Sequence, residues 1–199
     1  MIAAIARLTL VASLLLLSPM AAADFKAGQT AYEAGDYETA LAQWQPLADA
    51  GDPRAQFGLG TMYASGFGVA LDDAQAFHWL GLAAEQGNVQ AQYQLGVMHQ
   101  NGWGVPMSSE QAADWFVQAA EQGLTDAQVA LGQIYAAEYD GLFDAAKSYQ
   151  WLAIAAKLGD LNATNKRDDI ARKLSAEQIE EADLAVTEWL TAHPSLRAE

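Results

Sequence analysis

Alanine recurs in this chain at 36-residue intervals, as Ala55, Ala91, Ala127 and Ala163. Much else keeps the same step. Leu59-Gly60, Leu95-Gly96 and Leu131-Gly132 follow the first three alanines. Trp79, Trp115 and Trp151 share one phase, and Gly87, Gly123 and Gly159 close each unit. A fixed period of this size marks stacked supersecondary units, each able to bury its apolar face only against a neighbour. The chain is therefore expected to form a linear array. Such arrays offer extended surfaces for binding and carry no catalytic pocket as a rule.

Residues 54–64 place Ala55, Leu59, Met62 and Tyr63 at helical spacing. Gly60 leaves room for a second helix to come close. Residues 65–69 form a loop in which Gly66 and Gly68 accept positive φ. Asp72-Asp73 opens the second helix, where acids satisfy free N–H groups and face the positive end of the dipole. Ala76, Trp79, Leu80, Ala83 and Ala84 form its apolar face, and Gly87 suits a left-handed C-cap. The expected unit is an αα-hairpin with small residues at the crossing and the tryptophan as its wedge. Units span 55–90, 91–126 and 127–162. The second repeats Gly102-Trp103-Gly104; in the third, residues 139–144 replace the two-glycine loop, so the turn there must differ. A shorter hairpin over 24–54, around Tyr32, Tyr37 and Trp44, precedes them. Residues 163–199 form polar capping helices, with Arg167 in a leucine phase, Ser175 and Gln178 at capping-box spacing, and His193-Pro194 as the stop.

Residues 1–23 have the order of a secretory signal peptide: Arg7, an apolar run over 8–17, Ser18-Pro19, and the small-residue site Ala21-Ala22-Ala23. The run is shorter than the roughly 20 residues of a membrane span. Cleavage after Ala23 and a periplasmic or secreted location are expected. The formal net charge is −15, and removal of the leader takes away one basic residue and no acid. Nucleic acid is excluded as a partner class, because phosphate binding needs clustered Lys and Arg. An anionic membrane surface is disfavoured for the same reason. With no cysteine, thiol catalysis and thiolate metal sites are also excluded. No pair of histidines has metal-site spacing, so no metal or cofactor is expected.

The pattern A-x-x-x-L-G-x-x-Y-x-x-G-x-G-V, followed by A-x-x-W-x-x-x-A-A-x-x-G, resembles the Sel1-like repeat, a relative of the tetratricopeptide repeat. Leu59, Gly60, Tyr63, Gly66, Gly68, Trp79 and Gly87 match it in the first full unit. Leu95, Gly96, Gly102, Gly104, Trp115 and Gly123 match in the second, where His99 replaces the tyrosine, and Leu131, Gly132, Trp151 and Gly159 in the third. The resemblance implies an all-α fold, a right-handed αα-hairpin solenoid acting as an adaptor with a protein or peptide partner. Exported members are similar to envelope regulators and assembly factors. A cysteine-rich branch linked to penicillin binding supplies the alternative, a cell-wall-acting enzyme; this chain lacks those cysteines.

By phase from the Leu-Gly pairs, the concave face is expected to carry Phe57, Thr61, Ser65, Tyr93, Val97, Gln100, Asn101, Val129 and Gln133. Phe25, Gln29, Tyr32 and Glu33 take the same places in the short first unit. Phe57 and Tyr93 either pack as core or line a groove for a peptide or helix; the polar residues beside them favour the groove. At the loop tips, Phe67 and Trp103 either touch a partner or fold back over the next unit.

Overall fold

The computed structural model describes residues 23–138 and 141–196. The proposed leader lies outside them, apart from Ala23, as do Tyr139 and Asp140 of the divergent loop. Among the described residues there are ten α-helices, one 3-10 turn and no strand. Four hairpins follow one another: α1 (Phe25–Glu33) with α2 (Tyr37–Asp49), α3 (Pro53–Ser65) with α4 (Asp73–Glu85), α5 (Val89–Asn101) with α6 (Ser109–Glu121), and α7 (Thr125–Ala136) with α8 (Ala145–Lys157). Then come α9 (Leu161–Ala171), α10 (Ala176–Ala192) and the 3-10 turn Pro194–Leu196. From α1 to α9 each helix packs on the next. The fold is the expected αα-hairpin solenoid.

Local chemistry sets the helix ends. Asp36, Asp72, Ser108 and Asp144 cap the second helices through side-chain oxygens that accept backbone N–H bonds. Gly66 and Gly102 end α3 and α5 at φ 68° and 72°, a region that L side chains enter only at a cost. In the divergent unit α7 ends differently, on Ala137 in extended backbone. The capping box at Ser175 and Gln178 forms in both directions.

Within each hairpin the closest approach is a glycine facing a large side chain. A Cβ on Gly60 would stand 2.6 Å from Leu80, one on Gly96 2.5 Å from the Phe116 ring, and one on Gly132 2.5 Å from Leu152. The wedge is thus the residue after the tryptophan, which corrects the sequence expectation. Leu80, Phe116 and Leu152 are fully buried, whereas Trp79, Trp115 and Trp151 are half-buried. One helical position is a turn of about 100°, enough to move the indole off the crossing and toward the preceding unit. There Trp79 packs on the cluster around Trp44, and Trp115 on the cluster around Leu80.

The apolar clusters straddle the repeat boundaries: α2 with α3, α4 with α5, α6 with α7, and α8 with α9 and α10. No unit closes its own core, so stability resides in the seams. A glutamine periodicity ties the same seams. Gln56, Gln92 and Gln128 are buried, and their Nε2 groups donate to the carbonyls of Ala48, Ala84 and Ala120 in the last turn of the preceding helix, each at 3.2 Å. These carbonyls lie where a helix runs out of intrahelical donors. Gln86 and Gln122 donate in turn to the Oε1 atoms of Gln56 and Gln92, at 2.7 and 2.8 Å. Leu158 stands in that phase in the last full unit, and Gln128 Oε1 is buried without a partner among the described residues.

The array ends with a reversal. α10 lies against α8 through Ala182, Val186 and Leu190. The Tyr149 hydroxyl donates to Asp183 at 3.0 Å. Trp189 meets Trp151 edge-on at 6.1 Å, and its Nε1 donates to Glu121 at 3.1 Å. His193 stacks on Trp189 at 4.0 Å and approaches Glu121 at 3.1 Å. The Leu196 side chain lies over Gly123, where a Cβ would meet it at 2.5 Å.

Candidate functional site

The short first hairpin borders a cavity walled by aromatic rings. α1 has nine residues where α3 and α5 have thirteen. Trp44, from α2, is inserted between α1 and α3: Cβ atoms on Gly28 and Gly58 would stand 2.5 and 2.6 Å from its indole. Its Nε1 donates to the Phe25 carbonyl at 3.2 Å. Phe25 stacks on it at 5.8 Å and Tyr32 leans on it at 5.4 Å. A cleft of about 390 Å³ opens in front of these rings, lined by Phe25, Tyr32, Trp44 and Phe57 with Gln29, Glu33, Arg54, Thr61 and Asn88 at its edge.

The polar rim is ordered. Arg54 lies over the Phe25 ring, 4.6 Å from its centroid, and pairs with Asp52 at 2.6 Å. The hydrogen bond from Arg54 holds the Asp52 carboxyl below its usual range. Burial, then the neighbouring Tyr37, push the Tyr32 phenol up, so both groups keep fixed charge states at neutral pH. Thr61 Oγ1 donates to the Phe57 carbonyl at 2.9 Å. The arrangement is an apolar wall with hydrogen-bonding edges and one cation. It suits a side chain or short segment that carries both characters.

Of the concave-face residues expected from phase, the cleft gathers Phe25, Gln29, Tyr32, Glu33, Phe57 and Thr61. The rest lie elsewhere. Tyr93 is half-buried against Phe116, with rings 5.5 Å apart, and burial followed by the Asp126 charge raises its phenol. Val97 packs on the α6–α7 cluster and Val129 on the α8–α10 cluster. Ser65, Gln100, Asn101 and Gln133 are exposed, with Asn101 donating to the Val97 carbonyl at 2.8 Å. Phase counting missed Trp44, Gly58, Arg54 and Asn88. Trp44 comes from a second helix, so a phase count along first helices could not reach it, and its fit against Gly28 and Gly58 shows only in the assembled array. His99 is buried edge-on to Phe77 at 5.5 Å. Phe67 folds back over the preceding hairpin, stacked on Tyr37 at 4.7 Å. Among the described residues no group of acids and histidines is placed to hold a metal, and no helix is long and apolar enough to cross a membrane.

This stack of hairpins, each resting on its neighbour, is a solenoid of the helical-repeat class. The Sel1 repeat family model matches residues 53–88, 89–124 and 125–160. More than half of the chain is covered, and the chain belongs to that family, whose repeats generally mediate protein–protein interaction. Solved structures resemble it, among them two Sel1-type folds. A Sel1 repeat protein from Oxalobacter formigenes is 29% identical with a TM-score of 0.68, over 72% of this chain and 59% of that one. A protective antigen of uropathogenic Escherichia coli strains displaying an SLR fold is 26% identical with a TM-score of 0.50, over 88% of this chain and 48% of that one. The chain thus spans about half to three fifths of the length of the structures it matches. No curated protein matches it.

Proposed function

We propose that this protein is an exported, non-enzymatic adaptor that holds an extended or helical segment of another envelope protein against its first concave helices. The observation that carries the proposal is the convergence of Phe25, Tyr32, Trp44 and Phe57 on one cleft with an Arg54–Asn88 rim. Aromatic anchors with polar edges are what peptide-binding grooves use for affinity and orientation. The signal-like 1–23 segment supports export.

The chain lacking 1–23, immobilised and exposed to envelope extract, is expected to retain a defined protein. Tyr32→Ala with Phe57→Ala is expected to abolish that capture at unchanged helicity, while Gln133→Ala retains it. Capture indifferent to both cleft substitutions overturns the reading. Fusion of residues 1–23 to a reporter active only outside the cytoplasm tests export. The alternative of a cell-wall-acting enzyme would take over if the pure protein turned over a β-lactam or a muropeptide.

A further inference from the structure

A second periodicity lies on the opposite feature of the hairpins, their loops. Seven large apolar side chains are exposed among the described residues, and five of them sit between first and second helices: Phe67, Leu71, Trp103, Met107 and Phe143. They keep the 36-residue step, since Leu71, Met107 and Phe143 share one phase and Phe67 and Trp103 another. In stacked αα-hairpins all such loops fall on one edge. The contacts make that edge continuous. A Cβ on Gly68 would stand 2.6 Å from Tyr37, and one on Gly104 2.5 Å from the Asp73 carbonyl oxygen, so each loop rests on the start of the preceding second helix. Leu71 and Trp103, from different units, line one depression of about 310 Å³ with Ala64, Leu80 and Met98. Leu71 is 64% and Met107 73% exposed. Phe67 is partly covered by its stack on Tyr37, but the turns are satisfied by their glycines and do not demand Leu71, Trp103 or Met107, and contiguous apolar surface of this kind marks a contact site.

Charge selects the occupant. Between Arg54 and Lys147 there is not one Lys or Arg, while that interval contains ten acids. Asp72, Asp73 and Glu110 stand beside the stripe, at the starts of the second helices, whereas at its Phe143 end Lys147 pairs with Asp144 at 3.7 Å and Lys173 lies over the ring at 5.6 Å. A second copy of the chain would set the same acids against them, and an anionic lipid surface would be repelled. We propose that this loop edge is a second docking surface, distinct from the concave cleft, and that it takes a cationic amphipathic segment whose apolar side chains seat on the stripe while Lys or Arg reach the flanking acids.

The test uses a fluorescent amphipathic helix of Leu, Phe and Lys, its counterpart with every Lys replaced by Glu, and the chain from residue 24 onward. The Lys peptide is expected to bind, at least tenfold more tightly than the Glu peptide and more weakly as salt rises. The combined Leu71→Ser, Trp103→Ser, Met107→Ser variant keeps every charge and is expected to lose at least tenfold in affinity at unchanged helicity. Equal binding by that variant, equal binding of the two peptides, or no binding overturns the proposal. So does flotation with phosphatidylglycerol vesicles in place of peptide binding, or self-association that the triple variant abolishes. If the triple variant unfolds, Met107→Ser alone, at the most exposed position of the five, is expected to lose threefold, and no loss there overturns the proposal as well.

Discussion

The two ends of the array are finished in opposite ways. At the first end, Trp44 is driven between the glycines of two flanking helices, and the rings around it stay open to a cleft. At the last end, the apolar surface is consumed: Trp151 is met by Trp189 of α10, which doubles back over α8 to reach Glu121, while Leu196 of the following 3-10 turn covers Gly123. The same brick therefore yields an open face or a sealed one, depending on what covers its aromatic edge. The glutamine seam follows the same division. It is complete at Gln56–Gln86 and Gln92–Gln122 and interrupted where Leu158 faces Gln128.

Four experiments press on that contrast. The largest effect is expected at the open end. Trp44→Ala removes a 4% exposed indole and should destabilise by about 3–5 kcal/mol in urea unfolding, in line with large aromatic deletions from cores. It should also erase binding to the cleft. A stability loss under about 1 kcal/mol would show that the first hairpin packs without its wedge.

Making an intact seam resemble the interrupted one comes next. Gln86→Leu leaves Gln56 Oε1 without its donor and should cost about 1–3 kcal/mol, the penalty of an unmet buried polar group. Leu158→Gln, the reverse exchange, should be neutral or stabilising by under about 1 kcal/mol, because the new hydrogen bond offsets lost apolar contact. If both changes destabilise equally, the ladder has no part in the difference between the ends.

At the sealed end, Trp189→Ala should cost about 1–2 kcal/mol, less than Trp44→Ala because the indole is only half-buried. Amide exchange should accelerate in α10 while α1–α4 stay protected. Uniform acceleration along the chain would mean that α10 is not a separable cover.

The smallest effect concerns pH. Burial holds the His99 imidazole below its ordinary value of 6.5, so the unfolded chain binds a proton that the folded chain resists. The sign follows: the residue carries no penalty above about pH 6.5 and a growing one as pH falls below it. His99→Tyr, which installs the residue found in the same phase at Tyr63 and Tyr135, should flatten the decline in stability between pH 6.5 and 5 relative to the parent. Parallel curves for the two proteins would refute the assignment.

Much of this was legible from residue spacing. The 36-residue period revealed the hairpins and the glycine caps, and a three-residue spacing revealed the Ser175–Gln178 box, because these depend on backbone geometry within one turn or one unit. Phase also placed six of the ten residues that line the cleft, since Phe25, Gln29, Tyr32, Glu33, Phe57 and Thr61 lie on first helices. It failed at Trp44, which enters from a second helix, and at Tyr93, Val97 and Val129, which turn into the seams. A phase says which face of a helix a residue occupies. It does not say whether that face meets a neighbour or solvent, and in the wedge a single step from Trp79 to Leu80 separates the two outcomes.

The chain's own order of residues settled the repeating hairpin, its punctuation and the all-helical array, because each is fixed by contacts between residues close in sequence and by steric limits on the backbone. Only the assembled structure decided where the array stays open. That depends on how far α10 travels back, on which large side chain finds a glycine opposite it, and on which carbonyl a buried glutamine meets. These are pairings between distant segments, and no local rule contains them.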